Sequence, residues 1–73
     1  MAQLTDAEWV REQVARELDT HAEGQAMAGK FAEQAGNLPL ANARAGRAEI
    51  YRDLARELRQ AEAMRQAMRR WLR

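Results

Sequence analysis

The chain of 73 residues has no cysteine, one proline, one histidine and few aromatic residues. Without cysteine, a disulfide framework and a cysteine-based zinc site are excluded. The longest apolar run is about four residues, whereas a membrane-spanning helix needs about 18–20. The first six residues lack a basic region followed by an apolar core, so we expect no secretory signal and a cytoplasmic location.

The residues that are abundant favour helices. Sixteen alanines and eleven arginines stand beside many Leu, Glu, Gln and Met residues, all of which are good helix formers. The β-branched residues that favour strands number only five. We therefore predict an all-α protein that forms a single helical domain over residues 1–73.

The ends of two long helices are marked in the sequence. Thr5 and Glu8 have the spacing of a capping box, which marks a helix start. Gly36 is suited to a left-handed residue after a helix, and Pro39 follows it. The predicted elements are helix one at about residues 5–35, a turn at 36–39 and helix two at about 40–72.

The middle of helix one has two interpretations. Thr20 and Glu23 form a second capping-box pattern, and Gly24 follows, so a break near residues 19–21 would give three helices. No proline forces that break, however. We therefore favour one continuous helix, and the predicted fold is an antiparallel two-helix hairpin.

Apolar residues recur at spacings of three and four in both helices, and we expect these stripes to form the seam of the hairpin. In helix one the stripe is apolar at its ends and polar in the middle, and it consists of Ala7, Val10, Val14, Leu18, His21, Gln25, Ala28, Phe31, Ala32 and Ala35. In helix two it is Ala43, Ile50, Tyr51, Leu54, Leu58, Ala61, Met64, Met68, Trp71 and Leu72. The alanines and glycines between residues 22 and 35 would permit close helix approach, and the alternative is that the alanines are there only for their high helix propensity.

Further large apolar side chains flank these stripes and predict a second contact surface. One hairpin seam leaves them without a partner, so we expect two copies to pair into a homodimeric helical bundle. The residues assigned to self-association are Trp9, Met27, Phe31, Met64 and Trp71.

The net charge of +1 conceals an asymmetry between the two halves. Residues 1–36 hold three basic and seven acidic residues, a net charge of −4, and residues 37–73 hold nine and four, a net charge of +5. We expect most of these charges to point away from the seam, which would give one acidic and one basic outer surface. The acidic residues concerned are Glu8, Glu12, Asp19, Glu23 and Glu33, and the arginines are Arg52, Arg56, Arg59 and Arg70.

The arginine row has three interpretations: a solvated face, a surface for an acidic protein partner, or a phosphate-binding surface for nucleic acid. No nucleophilic dyad or glycine-rich phosphate loop is present, and His21 beside Glu17 is interpreted as a polar position rather than a metal ligand. We therefore expect no enzyme activity, no cofactor and no metal.

The function expected from the sequence is that of a self-associating protein–protein interaction module. It would act as an inhibitor or adaptor, of the kind that phages and mobile elements encode, by occupying a surface of a larger protein. The alternative is a nucleic-acid-binding helical dimer that uses the arginines of helix two. Membrane binding is not expected.

Overall fold

The computed structural model describes residues 6–72, and these form two α-helices and no strand. Helix α1 spans Asp6–Gln34 and helix α2 spans Leu38–Trp71. They pack along their length into a rod of 57 × 19 × 15 Å. This confirms the all-α hairpin. Helix α1 runs without interruption through residues 19–21, so the three-helix alternative is wrong.

The turn between the helices is built by local hydrogen bonds. Gly36 has φ +80°, a left-handed conformation that glycine adopts without steric cost. The N–H of Asn37 donates to the carbonyl oxygen of Ala32 at 2.8 Å, and the N–H of Gly36 donates to that of Glu33 at 3.0 Å. Together they form a Schellman motif, which satisfies carbonyls at the end of α1.

Asn37 also begins the second helix, because its Oδ1 accepts from the N–H of Leu40 at 3.2 Å. Helix α2 consequently starts at Leu38, two residues before the start expected from the sequence. Pro39 was expected to lie in the turn but occupies the first turn of α2, where its missing N–H is not needed. Thr5, the cap expected for α1, lies outside the described residues.

The helices meet along small residues that recur every seven positions. A spacing of seven keeps residues on one side of two helices that wind around each other. Ala15 and Ala22 have no exposed surface. We call the following residues the small-residue seam: Ala15, Ala22 and Gly29 of α1 and Ala41, Ala48 and Ala55 of α2, all buried.

Gly29 shows how closely the backbones approach. A Cβ atom at this position would lie 3.3 Å from the carbonyl oxygen of Ala41 and 3.4 Å from Cβ of Arg44. A larger side chain would force the helices apart. At Ala22, Gly29 and Ala32, which are all buried, close helix approach is therefore the correct interpretation of the small residues.

The predicted seam is wrong in its position around each helix. Val10, Val14 and Leu54 were expected to fill the seam, but all three are exposed. Backbones this close leave room only for methyl groups and hydrogen atoms between them. At 100° per residue, Val14 and Leu54 lie about a quarter turn from the seam, and Val10 lies further round on the same side.

The close approach predicts that Ala22→Leu destabilises the hairpin by about 1–3 kcal/mol, because leucine overpacks the seam. Leucine and alanine have similar helix propensities, so the effect would not come from the helix itself. Ala63→Leu, at an exposed position of α2, is the matched control and should stay within about 0.5 kcal/mol of the parent. Urea unfolding followed by circular dichroism measures both, and equal stabilities would contradict the seam.

Candidate interaction surfaces

Most of the large apolar side chains of the two helices lie on one side of the rod. Residues one before, two after and three after a seam residue lie on the same side of a helix, and antiparallel packing brings this side of α1 beside that of α2. The ring of His21 lies against that of Tyr51, with centroids 5.9 Å apart and planes inclined by 42°. This contact joins the two helices on that side.

We call this side the apolar face. Its members are Val10, Val14, Leu18 and Phe31 of α1 and Leu40, Ile50, Tyr51, Leu54 and Leu58 of α2. Leu18, Tyr51 and Leu58 are half-buried and the other six are exposed. In residues 6–72 no large side chain is fully buried, so the hairpin leaves most of its apolar side chains in contact with solvent.

The opposite side carries charges of both signs, and we call it the polar face. Arg59 of α2 approaches two carboxylates of α1: Nη1 lies 2.9 Å from Oδ2 of Asp19, and Nη2 lies 3.5 Å from Oε1 of Glu12. The hydrogen bonds that Arg59 donates, first to Asp19 and then to Glu12, raise the pKa of Arg59 above its ordinary value. A shallow depression here is lined by Asp19 together with Arg52, Arg56 and Arg59.

These pairs correct the expected separation into an acidic and a basic outer surface. Antiparallel packing places the acidic flank of α1 and the arginine flank of α2 on the same side of the rod, so Glu12 and Asp19 meet Arg59. Glu8 departs furthest from the expectation, since it occupies a seam position seven residues before Ala15 and is only 7% exposed.

The open end of the seam holds ion pairs instead of alanines. Nη1 of Arg69 donates to Oε1 of Glu8 at 2.7 Å, and Nη1 of Arg11 donates to Oε2 of Glu62 at 2.5 Å. The side chain of Glu62 is 16% exposed, and its Oε1 is buried without a hydrogen-bond partner. Towards the turn, Nη1 of Arg44 donates to Oε1 of Gln25 at 3.1 Å.

The four arginines assigned to partner or nucleic-acid binding do not form one free row. Arg59 is engaged by two carboxylates, and Arg56 pairs with Asp53 at 3.3 Å on the surface of α2. Arg52 and Arg70 make no ion pair with a described residue. Nucleic-acid binding stays a prediction, with two of its four residues already paired within the hairpin.

The five residues assigned to self-association are all exposed, but they do not share a surface. They are Trp9, Met27, Phe31, Met64 and Trp71, of which Trp71 is 88% exposed. By helical position, Phe31, Met64 and Trp71 lie on the side of the apolar face, whereas Trp9 and Met27 point elsewhere. The apolar face consists mainly of residues that the sequence had assigned to the seam.

The described part of the chain offers few other kinds of site. Across residues 6–72, neither helix has a segment that is both long and apolar enough to cross a bilayer. The same residues contain no group of three His, Cys, Asp or Glu side chains placed to hold a metal ion. Comparison with protein-family models, curated proteins and solved structures finds no match to this chain.

The buried pair at the open end predicts unequal costs for two arginine substitutions. Arg11→Met leaves the enclosed carboxylate of Glu62 without its hydrogen-bond donor and should destabilise the hairpin by about 1–3 kcal/mol. Arg16→Met removes only an exposed pair with Glu12 one turn away, and should cost less than about 0.5 kcal/mol. Thermal and urea unfolding compare them, and equal losses would contradict a special role for the Arg11 pair.

Proposed function

We propose that this chain is a non-enzymatic helical interaction module that works as a homodimer, with the apolar face as the contact between two copies. The supporting observation is the distribution of side-chain size. Alanine and glycine fill the seam within one hairpin, while Val14, Leu54 and their neighbours stay exposed together on one side. An exposed face of this kind on a two-helix hairpin matches half of a four-helix bundle.

The surface area supports a second copy as the occupant of this face. The hairpin has an accessible area of 6108 Å², whereas a compact monomer of its mass would have about 4,600 Å². The surplus of about 1,500 Å² exceeds the roughly 800 Å² per partner that a standard interface buries. A second hairpin has the same length and an equally apolar face, so it covers this surface without a mismatch in size.

A dimer formed in this way keeps the polar face in solvent. Arg52 and Arg70, which carry no ion pair with a described residue, stay accessible there. A larger protein that this module inhibits or connects would meet the dimer on this face, through an acidic surface of its own. This inhibitor or adaptor role is the one expected from the composition and charge of the sequence.

Self-association predicts a molar mass of twice 8.4 kDa for the purified protein. Leu54→Glu places a charge in the middle of the apolar face and should shift the protein to monomer, because an unpaired charge is costly to bury. Gln60→Glu adds the same charge at an exposed position of α2 outside this face and should leave the dimer intact. Size-exclusion chromatography with light scattering measures the mass of each variant.

Circular dichroism on the same samples establishes that the variants remain helical. A parent protein that stays monomeric at tens of micromolar would overturn the proposal. Dissociation by both substitutions alike would also count against it, since the effect would then follow total charge rather than the apolar face.

A further inference from the structure

Helix α2 carries a second stripe with heptad spacing beside the small-residue seam. The spacing alternates between three and four residues, as in a coiled-coil contact. The stripe consists of Leu40, Ala43, Arg47, Ile50, Leu54, Glu57, Ala61 and Met64. Every member is exposed, so the whole stripe is free to meet a second helix.

The stripe is complementary to itself when it is reversed about residue 52. Reversal places a large side chain against a large one at both ends and at the centre, an alanine against an alanine, and opposite charges against each other. The facing pairs are Leu40 with Met64, Ala43 with Ala61, Arg47 with Glu57, and Ile50 with Leu54.

We propose that α2 of one copy packs antiparallel against α2 of a second copy, with the two-fold axis between Ile50 and Leu54. Arg47 of each copy then pairs with the partner's Glu57, so the only two charges in the stripe neutralise each other twice. This inference rests on the proposed homodimer and specifies how its two copies are arranged. Such a two-fold contact is closed and uses the same surface of both copies.

Helix α1 supports the same axis independently. Its own stripe on the apolar face reverses about residues 20–21: a centre at His21 sets Val14 against Ala28, and a centre half a residue earlier sets Val10 against Phe31. The ring contact between His21 and Tyr51 places the centre of this stripe level with the centre of the α2 stripe. One two-fold axis therefore serves both helices.

The charges disfavour the other two-fold arrangement, in which the axis runs along the rod. There, α1 of one copy would lie over α2 of the other at the same level. Glu17 and Glu57 are level with each other, as the nearby Arg11–Glu62 and His21–Tyr51 contacts show. Two like-charged pairs would then face each other across the interface, whereas the antiparallel arrangement gives two opposite-charged pairs.

Charge exchange tests this arrangement. Arg47→Glu and Glu57→Arg each create two like-charged pairs per dimer and should weaken dimerisation about tenfold or more. The double variant Arg47→Glu/Glu57→Arg restores opposite charges and should return the dimer affinity to within about threefold of the parent. Sedimentation equilibrium measures the dissociation constants, and Arg70→Glu on the polar face is the control for added negative charge.

A symmetric cross-link provides a second measurement that does not depend on charge. The chain has no cysteine, so His21→Cys introduces a single thiol beside the proposed axis, where the two copies bring it within disulfide reach. Mild oxidation should give a covalent dimer, while Glu23→Cys, away from the apolar face, should not cross-link.

The outcomes separate this arrangement from the proposed homodimer itself. A monomeric parent protein overturns both. A dimeric parent whose affinity is unchanged by the single charge reversals, or not restored in the double variant, overturns the antiparallel arrangement and leaves self-association standing. A dimer without the His21→Cys cross-link does the same.

Discussion

The close approach of two helix backbones along a seam of alanine and glycine governs the rest of this structure. At Gly29 there is no room even for an ordinary methyl contact with the backbone of Ala41. A seam this narrow excludes every leucine, isoleucine and valine from the space between the helices. The hairpin therefore gains close packing and van der Waals contact from the seam, but it buries little apolar surface there.

Most of the excluded side chains lie on one side because the helices are antiparallel. The apolar side of α1 lies beside the apolar side of α2, and the acidic side of α1 lies beside the arginine side of α2. The contacts of His21 with Tyr51 and of Asp19 with Arg59 are the results on the two sides. The rod thus has an apolar face and a polar face, and on the polar face Glu12 and Asp19 are paired with Arg59 while Arg52 and Arg70 have no ion pair with a described residue.

The local parts of this fold could be predicted from the sequence, whereas the seam could not. The turn follows from the chemistry of Gly36 and Asn37, which acts within a few residues. The seam depends on Ala15, Ala22, Ala48 and Ala55, whose seven-residue spacing is hidden among sixteen alanines. Hydrophobic periodicity favours the larger residues, so it located the surface that solvent touches instead of the one that the helices share. The pairing of Glu12 and Asp19 with Arg59 required the position of the seam and was therefore missed.

Glu8 and Glu62 explain why the seam does not consist of alanine throughout. Alanines that recur every seven residues present the same small surface to the facing helix at each position. They therefore do little to favour one register of the two helices over another. Near the open end the constraint of the turn at Gly36 is weakest, because it lies a full helix length away. There, Glu8 of α1 pairs with Arg69 of α2, and Arg11 of α1 pairs with Glu62 of α2. The carboxylate therefore comes from α1 in one pair and from α2 in the other. A shift of α2 by one heptad would separate both pairs, so together they favour the observed register and keep the apolar stripes of both helices level. Buried polar groups at seam positions define alignment in this way in coiled coils, at some cost in stability.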